Sequence, residues 1–360
     1  MDNLSFPHGG NIYEVKKILK KEVIDFSANI NPLGLPAMVK RAIYANVNEI
    51  IHYPDPEARN ITQKIARYWQ INEQNILLGN GSIELIYLVM SRYKPKTTYI
   101  VAPTFSEYER AAKGVKSRIR FLNLKEKENF SFNLSYFAKP YIFENVKNKA
   151  DVFFVCNPNN PTGNLILEDC ASINKLTNKL LVVDEAFIDF LPNQKDYTLI
   201  WRAIKTKKII VLRTFTKFFA LPGLRIGYLV AHKEVVDKLR QHQVPWNINS
   251  LAQIAVEQIL NDKEYINRTY KLIKKERDFL FEQLAKIEGL KPYPSVTNFL
   301  LIKIEKADIT SESLRKSLIE NGILIRDCSN FRNLNNKYIR VAVRLRKENL
   351  KLLEAFKKAI

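Results

Sequence analysis

The chain has 360 residues, 46% of them hydrophobic and 26% charged, an ordinary balance for a soluble globular protein large enough for two domains. No run of about 18 apolar residues occurs, so no membrane-spanning helix is expected. The net charge of +20, from 57 basic and 37 acidic residues, raises nucleic-acid binding. The bases are nevertheless spread along the chain, as at Lys271–Lys275, with neither zinc-finger spacing nor an aromatic RNA-binding signature. The charge instead suits an anionic substrate and cofactor.

Residues 1–35 read as an irregular arm rich in Gly, Asn and Pro. The arm begins without a basic segment followed by an apolar one, so no signal peptide is expected. Gly79–Ser82 then precedes a helical pattern over Ile83–Met90. Ser82 can cap that helix, Gly81 allows close backbone approach, and free N–H groups at a helix start suit a phosphate. Between about 55 and 250, helical patterns alternate with short apolar runs at Tyr99–Ala102, Val152–Val155, Leu180–Val183, Ile209–Leu212 and Ile226–Val230. This alternation predicts a mainly parallel sheet covered on both faces, a three-layer α/β sandwich. Functional residues of such sheets gather at the carboxyl ends of the strands. A helical stretch near 250–286 leads to a strand at Asn298–Ile304, a helix near 311–321, and strands at Ile323–Arg326 and Tyr338–Val343. We therefore expect an arm over 1–35 joined to the smaller domain, a large domain over 36–255 and a small α+β domain over 256–360, with a ligand cleft between the domains.

Chemistry concentrates in Thr214–Gly227. Lys217 follows a buried strand and precedes Phe218 and Phe219; burial and the nearby Arg225 lower an amine's pKa and make it a nucleophile able to form an imine with an aldehyde. Thr214, Thr216 and Arg225 supply hydroxyl and guanidinium donors, which with Gly81 and Ser82 form a plausible phosphate cup. Asp184 ends the run Leu180–Asp184; a carboxylate there can cap a helix, form an ion pair, or keep a pyridine nitrogen protonated. Asn157–Gly163 has too many Pro and Asn residues for helix or strand and reads as a loop, with the Asn157 amide available to a ring hydroxyl. Cys156, Cys170 and Cys328 form neither a disulfide framework nor a metal-ligand pattern, so no metal is expected and a reducing cytoplasm is the simple reading.

Together these motifs resemble the fold-type I, class I/II aminotransferase family of pyridoxal 5'-phosphate enzymes, over nearly the whole chain. The resemblance implies a Schiff base at Lys217, Asp184 against the pyridine nitrogen, Asn157 on the ring oxygen and Phe105 stacked on the ring. It implies Gly81, Ser82, Thr214, Thr216 and Arg225 at the phosphate. Tyr53 would reach the phosphate of a neighbouring subunit, because family members are homodimers with shared sites. Arg340 looks like the arginine that grips the substrate carboxylate. One departure matters: many members carry a tyrosine three residues after the aspartate, where this chain has Phe187.

His8–Tyr13 with Asp25–Gly34 is similar to the branch of the family that decarboxylates an O-phospho-amino acid, L-threonine O-3-phosphate, in cobalamin biosynthesis. Phe187 and Ile325–Phe331 fit that branch too. His8, Asn31 and Arg326, with Arg332 as a weaker option, are candidates for the substrate phosphate, and the division of the two anions between the arginines stays open. The alternatives are L-serine O-phosphate as substrate, or an aminotransferase of the histidinol-phosphate type. All three use the same cofactor; the substrate bond held perpendicular to the ring is the one that breaks.

Overall fold

A computed structural model of the chain describes residues 8–19, 22–132, 152–167 and 179–360. Residues 1–7 of the arm and Cys170 lie outside the described residues. Cys156 and Cys328 are free and buried.

The strands, in chain order, are β1 (Ile24–Asp25), β2 (Ile76–Gly79), β3 (Thr97–Ala102), β4 (Arg118–Asn123), β5 (Val152–Cys156), β6 (Leu180–Asp184), β7 (Ile209–Thr214), β8 (Gly227–Val230), β9 (Leu290–Pro292), β10 (Phe299–Ile304), β11 (Ile323–Leu324), β12 (Arg326–Asp327) and β13 (Tyr338–Ala342). Seven of them form one sheet in the order β2-β8-β7-β6-β5-β3-β4. Every neighbouring pair in it is parallel except those made by β8, which runs antiparallel to β2 and β7. Strand side chains alternate between two cores, as the period of two demands. Val152, Phe154, Val182 and Leu212 pack against the helices Gly81–Tyr93, Glu107–Gly114 and Lys233–Arg240. Phe153, Val155, Val183 and Val211 pack on the opposite side with Ile61, Ile65 and Trp69 of the helix Arg59–Trp69 and with Val256 and Ile259 of the helix Ser250–Ile259. These are the expected three layers. Burial on both faces is why the central strands are written almost wholly in Val, Ile, Leu and Phe.

The second sheet, β12-β13-β10-β9, is antiparallel throughout. Its core joins Leu300, Ile302 and Val341 to Leu280, Leu314 and Phe356 of the helices Lys263–Leu284, Ser311–Glu320 and Arg346–Ala359. The arm strand β1 pairs in parallel with β11. Tyr293, Phe299 and Tyr338 of this half belong to the same core as Phe153 and Val211, so the two sheets are packed together rather than strung apart.

Two local readings needed correction, and one edge strand was not anticipated. The edge strand β4 alternates charged with apolar residues and is half-exposed, so it gives no apolar run. The helical stretch at 250–286 is two helices, because Asp262 accepts the Tyr265 N–H at 3.0 Å and starts a new one. Ser82 lies inside its helix; the cap position is Asn80, whose side chain makes no capping bond.

Candidate active site

Three adjacent parallel strands bring the expected groups together. Cys156 and Asp184 are register partners at the ends of β5 and β6, and β7 ends beside them at Thr214. Lys217, three residues beyond β7, lines one cavity with Asp184, Thr214, Thr216 and Arg225. Burial lowers the Lys217 amine to about 8, helped by the positive charges of Arg340 and Arg225. Burial raises the Asp184 carboxyl, against the hydrogen bonds from Tyr108 and Ala186 and the charge of Lys217. The Tyr108 hydroxyl donates to Asp184 Oδ2 at 2.7 Å and the Ala186 N–H to Oδ1 at 3.0 Å. Each oxygen retains a lone pair for one more donor.

One end of the cavity is built for an anion. The helix Gly81–Tyr93 opens there with no side-chain cap, so its first N–H groups are free to take a ligand. Ser82, Thr214, Thr216 and Arg225 line the same end. Gly81 has φ +74°, and a β-carbon on it would lie 2.5 Å from Arg225 Nη2. Only glycine allows the guanidinium to lie against the helix start.

The opposite wall is cationic. Arg326 of β12 and Arg340 of β13 are direct cross-strand partners, and both line the cavity. Arg340 donates to Asn160 Oδ1 and, at 2.7 Å, to the Ser27 carbonyl, while its Nε is buried without a partner. Burial lowers the pKa of both guanidinium groups. Asn29 is buried in the same wall with its Oδ1 unsatisfied. Like charges directly opposite on neighbouring strands repel; an anion between them would offset that repulsion.

The sequence pattern of the aminotransferase class I and II family matches residues 21–356. The threonine-phosphate decarboxylase of Salmonella typhimurium is 38% identical to this chain, covering 98% of it and 96% of that protein. The chain belongs to the aminotransferase class I and II family. It is accordingly a pyridoxal-phosphate-dependent enzyme. A bifunctional adenosylcobalamin biosynthesis protein of Leptospira interrogans is 32% identical over 97% of this chain and 40% of its own length. Among solved structures, the histidinol-phosphate aminotransferase of Clostridium acetobutylicum superposes with a TM-score of 0.83 at 33% identity, covering 92% of this chain and 98% of that one.

The residues present fit the family's cofactor: a partly buried lysine, a buried carboxylate with accepting capacity, an uncapped helix start, and Phe105 in the cavity lining. Several expected residues lie elsewhere. Asn157 does not line the cavity; its Oδ1 accepts from the Ile166 and Leu167 N–H groups at 2.7 and 3.0 Å. Asn160 of the same loop lines it instead. Asn31 also lies off the cavity. Its amide donates to the Phe218 carbonyl at 2.7 Å, and its N–H to the Lys217 carbonyl at 3.1 Å, so it fastens the lysine loop, whereas Asn29 reaches the cavity. Arg332 is on the surface, 3.4 Å from Glu109. Tyr53 is 82% exposed and packs on Trp246, outside this chain's own cavity. His8 and Phe187 line the cavity. The residues not anticipated are Asn29, Asn160, Ser27 and Tyr108. Both asparagines precede a proline; what separates Asn160 in the sequence is that Thr162 and Gly163 follow its proline, where Asn159 and Asn160 follow that of Asn157.

Proposed function

We propose that this enzyme decarboxylates L-threonine O-3-phosphate to (R)-1-aminopropan-2-ol O-phosphate in cobalamin biosynthesis. The observation that carries this reading is the opposed pair Arg326 and Arg340. Two guanidinium groups facing one cavity suit a substrate with two anionic ends, a carboxylate and a phosphate. Similarity to the Salmonella typhimurium decarboxylase over nearly the full chain supports the same reaction.

When bound, pyridoxal phosphate supplies an electron sink, through its link to the substrate amine, for the pair freed as a bond to the α-carbon breaks. Lys217 would hold the cofactor through its aldehyde. Asp184, with its remaining accepting capacity, holds the ring nitrogen protonated. Asn160, in place of Asn157, and Phe105, both in the cavity lining, would hold the ring. Gly81, Ser82, Thr214, Thr216 and Arg225 take the cofactor phosphate. Arg340 grips the substrate carboxylate, while Arg326, Asn29 and His8 receive its phosphate. Carbon dioxide leaves and the α-carbon gains one proton, for which Lys217 Nζ is the donor.

The wider assignments belong to the same proposal. The chain divides into an arm over 1–35, a large domain over 36–255 and a small domain over 256–360. A homodimer is supported by the exposed apolar group Tyr44, Ile50, Ile51, Tyr53 and Trp246, which would bring Tyr53 to the partner's site. Two buried free thiols suit a reducing cytoplasm.

Purified protein loaded with pyridoxal phosphate should release carbon dioxide from L-threonine O-3-phosphate. L-Serine O-phosphate, one methyl smaller, should react more slowly; a methyl is worth about 1–3 kcal/mol in a pocket. An aminotransferase of the histidinol-phosphate type would release none and would form glutamate from 2-oxoglutarate, and that outcome would overturn the reading.

A further inference from the structure

His8 reaches the cavity from the arm, and two sets of contacts hold it there. On one side, Gly9 and Gly10 lie on Ser27: the Gly10 N–H donates to Ser27 Oγ at 2.8 Å, and a β-carbon on Gly9 would fall 2.1 Å from the Ser27 carbonyl oxygen. On the other, His8 Nε2 is 2.7 Å from Glu107 Oε1. Glu107 opens the helix Glu107–Gly114 of the larger half. Its side chain is 4% exposed while that of His8 is 39% exposed. Its second oxygen accepts the Tyr87 hydroxyl at 2.7 Å, and Arg110 Nη1 is 3.8 Å from the first. The His8 ring sits 5.5 Å from that of Phe105.

We propose that Glu107 is a positioning residue that holds His8 across the cavity mouth, so that the arm's imidazole meets the substrate phosphate. With Nε2 engaged by Glu107, only Nδ1 remains to a cavity ligand. An imidazole that donates from both nitrogens would give Nε2–H to Glu107 and present Nδ1–H to an anion. The Tyr87 hydroxyl and Arg110 add to His8 as partners of Glu107, as a buried carboxylate requires. The strap therefore joins the Ser27 loop to the helix that also carries Tyr108, the partner of Asp184.

This inference rests on the reading of His8 as a phosphate ligand, and the test separates the two. In the loaded enzyme, Glu107→Gln should raise KM for L-threonine O-3-phosphate about tenfold, the worth of one hydrogen bond to a charged group. Its kcat should stay within about twofold, and the visible absorbance of the bound cofactor should not change. Inhibition by inorganic phosphate should weaken in parallel. Gly9→Ala, which displaces His8 from the other side, should reproduce the KM effect. In a His8→Ala background, Glu107→Gln should add nothing further. If wild type turns over the substrate but Glu107→Gln leaves KM unchanged, lowers cofactor binding, or adds its full effect to His8→Ala, Glu107 does not act through His8. If His8→Ala itself leaves KM unchanged, the phosphate role of His8 fails instead.

Discussion

Gly81→Ala tests the anion end of the cavity with a single methyl group. At φ +74° an alanine pays a backbone penalty of about 1–2 kcal/mol. The new β-carbon would also sit 2.5 Å from Arg225 Nη2 and 3.1 Å from its Cζ, far inside van der Waals contact, so the guanidinium must swing away. Losing its charge-assisted bond to a phosphate costs about 1.5–3 kcal/mol, or roughly ten- to hundredfold in the dissociation constant for pyridoxal phosphate. The two effects can be measured apart. Thermal or urea unfolding of the cofactor-free protein reports the backbone strain, and titration with pyridoxal phosphate followed by visible absorbance reports Arg225. Gly223→Ala is the control, since a β-carbon there meets nothing within 4 Å, and it should leave cofactor affinity unchanged. If Gly81→Ala lost stability yet bound cofactor within about twofold of wild type, Arg225 would not be gripping the phosphate.

Lys217→Ala should abolish turnover while circular dichroism stays native; wild-type rates would remove the lysine from the chemistry. With the Lys217 amine at about 8, the neutral, nucleophilic form dominates above that pH. Condensation with added pyridoxal phosphate should therefore accelerate as pH rises through about 8 and then level off, and a rate still climbing toward the ordinary lysine range would refute the depressed pKa. Arg340→Ala should raise KM for the phospho-amino acid far more than it weakens cofactor binding, read by steady-state kinetics beside a cofactor titration; loss of cofactor alone would contradict the carboxylate role. Asn157→Ala should destabilise by about 1–3 kcal/mol in urea unfolding, because it strands the buried N–H groups of Ile166 and Leu167. Asn160→Ala should instead act on KM, by releasing Arg340.

The central strands were legible in the sequence because burial on both faces leaves no room for a polar alternation: Val152–Val155, Leu180–Val183 and Ile209–Leu212 are continuous apolar runs. Lys217 and Asp184 were legible for a related reason. Asp184 follows such a run directly and Lys217 lies three residues beyond the end of β7, and parallel strands place their ends side by side. The edge strand β4 escaped because one face meets water. Strand direction escaped as well; nothing in Gly227–Val230 states that β8 runs against its neighbours.

What only the tertiary structure decided is which of several similar side chains face the cavity. Asn29 and Asn31, like Asn157 and Asn160, are chemically identical and two or three residues apart. Their roles follow from which carbonyls and N–H groups the surrounding chain leaves within reach, and that depends on segments far away in sequence. The pairing of Arg326 with Arg340, and of His8 with Glu107 from 99 residues away, likewise needs the folded sheets. The sequence by itself determined the family, through its motifs, and the layered architecture, because local burial patterns encode it, and it singled out Lys217 as the candidate lysine. Long-range packing set the orientation of the binding groups, because a side chain's partners are fixed only when distant strands and loops meet.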